Sequence, residues 1–334
     1  MSIRIGMMGF GSIGRQFYRL ATESEEVEIS VVSDIGNPEI LHYLLTQEND
    51  KMMDVSYSGN YLQNGRFRTR MIDEVLPGDV SWDAFDLDMV VDATGKFTTL
   101  AHMNSHLDAG AQRVVISSLP KDDIDRLVVC GVNESSIAVG DKTISAGSST
   151  LNALALFLKA LESYKIESAN MTAIHSYTSD QPLQDVAGSD FRRSRSAAEN
   201  IIPNISHSEE WITKVFPELK GKICCNALNV PVQKGSMLDL TIAFEDHSVT
   251  IDDVNNAMIA ASEKNPQLIG VTEDPVVSSD VIGDSRSLVF DLGATLKAGS
   301  NMVKVLGWYD NGLCHAARIM DVINSYTALE GSKG

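Results

Sequence analysis

Hydrophobic positions along this chain follow two rhythms, and the change between them is the first clue to its organisation. Up to about residue 148, short apolar runs alternate with amphipathic stretches. Ile3-Arg4-Ile5-Gly6-Met7-Met8 predicts a strand, Arg15 to Thr22 a helix, and Val27-Glu28-Ile29-Ser30-Val31-Val32-Ser33-Asp34 a second strand. Pro38 to Gln47 predicts a helix with Ile40, Leu41, Leu44 and Leu45 on one face, and Asp88 to Ala93 a buried strand. A helix over Thr99 to Ala109 and strands over Arg113 to Ser117, Leu127 to Cys130 and Lys142 to Ser145 complete the series. Strand, helix, strand at this spacing predicts a doubly wound, mostly parallel sheet. Ligands of such sheets lie beyond the carboxyl ends of the strands, where Thr94-Gly95 and Ser117-Ser118 fall.

The second rhythm is slower. A helix over Leu151 to Ser163, apolar at Leu151, Leu154, Leu156, Phe157 and Leu161, leads into longer strand-like runs. These are Ala169 to Tyr177, Met237 to Phe244, Ser287 to Leu292 and Met302 to Trp308, with another amphipathic helix over Thr250 to Lys264. Few helices and several long strands predict an α+β arrangement on a mainly antiparallel sheet. The polar segment Thr178 to Asn200 interrupts the pattern.

Composition narrows the classes. At about 100–200 residues per domain, 334 residues predict two domains. With 43% apolar and 22% charged residues, the chain has an ordinary globular composition. No window approaches the ~18 apolar residues of a membrane span, and the N-terminus has no apolar run ending in a cleavage site, so a cytoplasmic, non-membrane protein is expected. The four cysteines, Cys130, Cys224, Cys225 and Cys314, are too scattered for a disulfide framework or a metal site, and Cys224-Cys225 reads as buried packing. A net charge of −18 argues against nucleic acid as a partner.

Chemistry enters with Gly9-Phe10-Gly11-Ser12-Ile13-Gly14 between the first strand and the first helix. Gly9 permits a tight turn, Gly11 lets backbone approach a pyrophosphate, and Gly14 allows close helix–strand packing. The helix N-terminus offers N–H groups to phosphate. Asp34, 20 residues after Gly14, is placed to accept the ribose hydroxyls and to repel a 2′-phosphate, so the expected cofactor is NAD.

Five motifs in order then carry a resemblance to the glyceraldehyde-3-phosphate dehydrogenase family, from about residue 3 to residue 325. Gly9-Phe10-Gly11-Ser12-Ile13-Gly14-Arg15 is similar to that family's GFGRIGR, and Thr94-Gly95-Lys96-Phe97-Thr98 to its TGxFT. The stretch Met171 to Thr178 resembles MTTVHxYT, Arg192 to Pro203 resembles RRxRAAAxNIIP, and Trp308-Tyr309-Asp310-Asn311 resembles WYDNE, with Gly312 in place of its glutamate. In the family a cysteine thiolate attacks an aldehyde, hydride leaves to NAD, and phosphate cleaves the thioester. Its SNASCTTNC reads here Ser145-Ala146-Gly147-Ser148-Ser149-Thr150-Leu151-Asn152-Ala153, which puts Ser149 where the nucleophilic cysteine falls. A serine hydroxyl does not ionise as a thiol does and needs a base at the moment of attack.

The resemblance implies roles residue by residue. His175 is the expected general base or acid, with Ser149 either a hydrogen-bonding group or a helix cap before Leu151. Gly9, Phe10, Gly11, Ser12, Ile13, Gly14, Asp34, Thr94, Gly95, Ser117 and Asn311 are the expected NAD contacts, Asn311 on the nicotinamide carboxamide. Ser148, Thr150, Thr178, Asp180, Arg193, Ser206 and Asn229 are the expected substrate contacts, with Asn229 replacing an arginine that clamps the substrate phosphate and Asp180 adding a negative charge. The expected activity is NAD-dependent oxidoreduction of an aldehyde, oxo or related alcohol substrate without a thioester. A catalytically silent NAD-binding protein comes second, and a Ser149–His175 acyl transferase or esterase third. The expected fold is α/β, an N-terminal Rossmann sheet plus an α+β catalytic domain on a mainly antiparallel sheet. The division is 1–148 with a C-terminal helix over 313–334, against 149–312, and a small-molecule substrate, no metal and a homotetramer are expected.

Overall fold

A computed structural model describes residues 2–47 and 53–331. The chain divides into two compact units. One comprises Met1–Val129, Asn133–Ser148 and His315–Gly334; the other comprises Cys130–Val132 and Ser149–Cys314.

In the first unit, β1 (Ile3–Met8), α1 (Ser12–Glu23), β2 (Val27–Ser33) and α2 (Pro38–Gln47) follow the expected alternation. Next comes a meander that the sequence reading missed, β3 (Ser56–Ser58), β4 (Tyr61–Gln63) and β5 (Arg68–Ile72). Its first turn is Gly59-Asn60, both at positive φ, the geometry that a two-residue hairpin needs. After it come β6 (Met89–Asp92), α3 (Leu100–Asp108), β7 (Val114–Ile116), β8 (Arg126–Leu127) and β9 (Thr143–Ser145). Among the described residues these form a nine-stranded sheet in the order β3-β4-β5-β2-β1-β6-β7-β9-β8. From β5 to β8 every pairing is parallel, and only the meander is antiparallel. The doubly wound sheet expected from the sequence is therefore present. Its direction of winding reverses between β1 and β6, the switch point at which such sheets bind ligands.

Helix α1 buries Phe17, Tyr18 and Ala21, with Gln16. Its start depends on glycine twice: Gly9 adopts φ +91°, and a Cβ on Gly14 would overlap the Gly9 carbonyl oxygen. Helix α2 departs from expectation. Leu41 and Leu45 are buried, but Ile40 is 58% and Leu44 41% exposed, so the apolar face is half as wide as the pattern suggested.

The second unit opens with α4 (Ser149–Ala160), buried on every side from Ser149 to Leu158. A helix apolar all round has to lie in a core. Phe157 reaches the sheet because Gly307 has no side chain there; a Cβ would stand 2.7 Å from the ring. The strands are β10 (Ile166–Ser176), β11 (Ile202–Ile205), β12 (Ile223–Val230), β13 (Ser236–Phe244), β14 (Ile269–Thr272), β15 (Leu288–Asp291), β16 (Leu296–Ala298) and β17 (Met302–Tyr309). They run in the order β11-β12-β10-β13-β17-β15-β14, with β16 on β17. Five pairings are antiparallel and two, β10 with β12 and β14 with β15, are parallel, so the sheet is mainly antiparallel as expected. Helix α5 (Ser208–Val215) was not foreseen, whereas α6 (Ile251–Lys264) starts where predicted, closed by a reciprocal capping box between Thr250 and Asp253. Helix α7 (Leu313–Gly331) ends the chain; the last three residues of the helix expected over 313–334 lie outside the described residues.

Two local expectations fail. Cys224 is exposed and Cys225 partly so, because outward and inward residues alternate along β12 and the pair straddles both faces. Ser149 is the first residue of α4 rather than a cap preceding it.

Candidate active site

The glycine turn, Asp34 and the Thr94-Gly95 turn converge at the carboxyl ends of β1, β2 and β6, as parallel strands require. The backbone fastens them in series: Gly9 N–H donates to Ser33 C=O at 2.8 Å, Ala93 N–H to Met8 C=O at 2.7 Å, and Ser117 N–H to Asp92 C=O at 2.9 Å. A cleft of about 300 Å3 lies there, with Gly9, Gly11, Asp34, Thr94, Lys96 and Phe97 in its wall.

Its chemistry fits a dinucleotide. No side chain caps α1 at Gly11, and no acid occupies the first turn, so the helix keeps its positive end for an anion. A Cβ on Gly11 would meet nothing within 4 Å, which leaves room against the backbone. The Asp34 carboxylate accepts from Phe10 N–H at 2.6 Å and from Gly36 N–H at 2.7 Å. Each oxygen has a second lone pair, so the group that fixes the turn still has acceptors for hydroxyls. Ser12 and Ile13 begin α1 and Gly95 is exposed at φ +66°. Ser117 follows β7, and its carbonyl accepts from His315 Nε2 at 2.7 Å. Burial holds the His315 imidazole down to about 4 and its Nδ1 finds no partner.

In the second unit, α4, β10 and β17 bring three distant segments together. His175 Nε2 lies 3.2 Å from Thr150 Oγ1, which lies 3.0 Å from the Tyr309 hydroxyl. On the other side of the ring, His175 Nδ1 is 3.5 Å from Ser236 Oγ. Ser236 is 3.5 Å from Ser176 Oγ, and Ser176 donates to Asn311 Oδ1 at 3.1 Å. The Asn311 amide nitrogen has no partner among the described residues.

Two shifts bear on this chain of hydrogen bonds. Burial raises the Tyr309 phenol, so it stays protonated, and either hydroxyl of the Thr150–Tyr309 pair can be the donor. Burial also lowers the His175 imidazole, only partly opposed by a backbone hydrogen bond at Ser176; the ring keeps some accessible surface, but the atoms packed around it desolvate it. Where Tyr309 donates to Thr150, Thr150 can donate to Nε2, and Nδ1 is then the protonated nitrogen facing Ser236. Ser149, 8% exposed on the same helix turn, is not a partner of His175 among the described hydrogen bonds.

The expected substrate contacts are closed on one another. Thr178 donates through its hydroxyl to Asp180, and Asp180 pairs with Arg193. Asn229 faces His175 across the β10–β12 pairing, but its amide donates to Gln181 Oε1 at 2.9 Å and its carbonyl accepts from Asn204 at 3.2 Å. Ser206 follows β11 at the end that pairs with Asn226, whereas Asn229 pairs with Ile202. Four positions at ~3.3 Å each put Ser206 about 13 Å along the chain from the Ile202–Asn229 pair. Ser148 is half-buried just before α4. The sequence reading missed Tyr309, although it stands in a quoted motif, and missed Ser236, Ser176, Gln181 and Asn204, which only sheet register brings into place.

Among the described residues no helix is long and apolar enough to cross a membrane, and no cluster of His, Cys, Asp and Glu could hold a metal ion. Comparison with known sequences places these two sites in context. The family described as glyceraldehyde 3-phosphate dehydrogenase, NAD binding domain, matches residues 3–100, and its C-terminal domain matches residues 148–311. Glyceraldehyde-3-phosphate dehydrogenase of Priestia megaterium is 38% identical over 339 residues, covering 99% of this chain and 100% of the relative. Glyceraldehyde-3-phosphate dehydrogenase 1 of Bacillus subtilis is 37% identical over 99% of this chain and 100% of its own length, and the Mycolicibacterium smegmatis enzyme 38% over 97% and 98%. Agreement of that breadth means that the chain belongs to the glyceraldehyde-3-phosphate dehydrogenase family of oxidoreductases, with NAD as its nucleotide.

Proposed function

We propose that this protein is an NAD-dependent oxidoreductase acting on an aldehyde hydrate or a related alcohol, that it forms no thioester, and that it does not carry out the phosphorylating oxidation its family is known for. The observation that carries this reading is the bond holding His175 Nε2 on Thr150 rather than on Ser149. An aliphatic hydroxyl attacks a carbonyl only when a base removes its proton, and the family's cysteine position holds Ser149, whose candidate base is turned to its neighbour.

NAD supplies the two-electron acceptor. The chain's part is to hold the substrate and to take up a proton. An unprotonated Nε2 can accept the proton of a substrate hydroxyl, with Thr150 moving aside or relaying it, while Ser149 at the start of α4 can donate to the substrate oxygen. The closed contacts of Arg193 with Asp180, and of Asn229 with Gln181 and Asn204, support a substrate without the family's phosphate group. An arginine already paired with a carboxylate offers an incoming anion little net attraction.

The second reading is an NAD-binding protein without turnover, which needs only the nucleotide cleft of the first unit. The acyl-transferase reading has less support, because no Ser149–His175 pair exists to activate the serine. A homotetramer is part of the proposal: Phe191 is 97%, Ile205 79%, Ile201 65% and Leu183 61% exposed, an apolar set that a neighbouring subunit would cover.

The test is calorimetric titration with NAD and NADH, followed by a panel of non-phosphorylated aldehydes and alcohols read at 340 nm. Turnover that disappears in His175→Ala supports the proposal. Binding with no turnover across the panel favours the silent protein. Activity on glyceraldehyde 3-phosphate that requires phosphate would contradict the proposal. Light scattering at the monomer mass would remove the tetramer.

A further inference from the structure

The first unit contains a buried side-chain network that the reading above does not use. Trp82 and His106 are fully buried and Asp92 is 2% exposed. Trp82 Nε1–H donates to His106 Nδ1 at 3.1 Å, and His106 Nε2 lies 3.2 Å from Asp92 Oδ2. The other oxygen, Asp92 Oδ1, accepts twice from one residue: Thr94 N–H at 2.9 Å and Thr94 Oγ1–H at 2.6 Å. Thr94 Oγ1 in turn accepts from Lys96 N–H at 3.1 Å.

Each step has one possible direction. An indole N–H can only donate, so His106 Nδ1 must be the bare nitrogen; a carboxylate can only accept, so Nε2 must carry the hydrogen. The tautomer is thus set by Trp82, not by the residue it serves. With Oδ2 held by His106, the Asp92 side chain cannot rotate away, and Oδ1 stays aimed at the Thr94 turn. That turn is half of the cleft wall, and it also packs on the other half: a Cβ on Gly9 would stand 2.7 Å from Thr94 N. Asp92 C=O further accepts from Ser117 N–H at 2.9 Å, tying in the end of β7.

We propose that His106, oriented by Trp82, is a positioning residue for the nucleotide cleft: through Asp92 it fixes the Thr94 turn against the Gly9 turn and commits the Thr94 hydroxyl proton inward, so that Thr94 meets the nucleotide as a hydrogen-bond acceptor. This rests on the reading of that cleft as the NAD site. The residue touches no ligand itself.

The experiment has a part that needs no variant. In 15N NMR of the whole protein labelled at histidine, His106 must show a protonated Nε2 and an unprotonated Nδ1; the opposite tautomer overturns the network. NAD is then titrated calorimetrically into wild type, His106→Leu, His106→Gln, Thr94→Val and the double variant His106→Leu/Thr94→Val. Leucine removes both ring bonds, and Kd is expected to rise about tenfold or more, whereas a Gln carboxamide can accept from Trp82 and donate to Asp92 and is expected to restore Kd to within about threefold. Because both changes cut the same link, the double variant is expected to bind no more weakly than the worse single one; independent sites would add. Unchanged Kd in folded His106→Leu, or additive losses in the double variant, overturns the proposal. If His106→Leu does not fold, the tautomer and the Gln variant decide. A wild type that binds no NAD removes the reading of the cleft and the positioning role together, whereas binding that is indifferent to His106 removes the positioning role alone.

Discussion

Replacing Thr150 with valine cuts the hydroxyl chain at its centre. Valine keeps the β-branched outline but brings no oxygen, so the Tyr309 hydroxyl loses its 3.0 Å partner and His175 Nε2 its 3.2 Å partner. Tyr309 is fully buried, and an unpaired buried donor costs about 1–3 kcal/mol. His175 keeps some accessible surface, so water can replace its lost bond and the further cost is at most about 1 kcal/mol. The new methyl, in a site only 7% exposed, offsets on the order of 1 kcal/mol. A net loss of about 1–3 kcal/mol is expected in urea unfolding. Thr150→Ser keeps the oxygen, so its loss should be confined to the missing methyl, about 1 kcal/mol. In parallel, turnover at 340 nm should fall in the valine variant while NAD affinity stays at the wild-type value, because the nucleotide cleft belongs to the other unit. A valine variant within about 0.5 kcal/mol of wild type, the ordinary scatter of surface substitutions, would show that Tyr309 and His175 are not joined through Thr150.

Three further outcomes follow from the same geometry. Gly9→Ala should weaken NAD binding at least about tenfold by calorimetry, since φ +91° costs a side chain roughly 1–2 kcal/mol and its Cβ would meet Thr94 N at 2.7 Å; unchanged affinity would remove the turn from the site. Ser149→Cys should give a thiol that iodoacetamide labels, with no phosphate-dependent oxidation of glyceraldehyde 3-phosphate unless Asn229→Arg is added; phosphorylating activity from Ser149→Cys alone would mean that the closed Arg193 and Asn229 contacts open readily. His315, held at about 4 against a reference of 6.5, binds its proton more weakly folded than unfolded, so the unfolded chain takes up the proton first as pH falls. Stability present at neutral pH should therefore drop between about pH 6.5 and 4, by up to about 3 kcal/mol from this group, with His175 adding in the same direction; His315→Gln should flatten the slope, and an unchanged slope would contradict the assignment.

The nucleotide half of the site was legible because its signals are local. The φ of Gly9, the contact of Gly14 with Gly9 and the 20-residue step to Asp34 all lie within one strand–helix–strand unit. Motif and geometry there are two views of one steric requirement. The chemistry in the second unit was only half legible. His175 stood in a motif, but its partner Thr150 is 25 residues away, Tyr309 is 159 residues from Thr150, and Ser236 is 61 from His175. Such pairings join a helix to strands, or strands far apart in sequence, and apolar periodicity within one segment carries no information about which distant segment it meets. The same limit hid β12, whose Ile-Cys-Cys-Asn-Ala-Leu-Asn-Val has no clean alternation, and made the exposed Cys224 look like core. Helix α2 failed differently: its apolar residues fit a helical face, yet only Leu41 and Leu45 have a core to meet.

On the proposed reading, Ser149 and Asn229 gain meaning when considered together with what surrounds them. Losing a thiol alone would leave an anion pocket with nothing to acylate; losing an arginine alone would leave a nucleophile with a loosely held substrate. In this chain both positions differ from the pattern the family motifs imply, and the neighbouring groups are satisfied without them. Asn229 is paired on both sides, Arg193 is neutralised by Asp180, and His175 has hydroxyl partners at both ring nitrogens. A site decaying after loss of function would be expected to leave buried polar atoms unpaired, because nothing maintains their partners and each costs about 1–3 kcal/mol. Here, of the described residues whose hydrogen bonds are given above for the second unit's site, Gln181 Nε2 is the one buried side-chain atom without a partner. Meanwhile the first unit retains the glycine turn, the uncapped helix end and the acid that tie it to NAD. On the proposed reading, a nucleotide cleft that keeps these features and a substrate site whose polar groups are satisfied internally fit a change of substrate, which is why turnover on a non-phosphorylated substrate ranks above a silent fold.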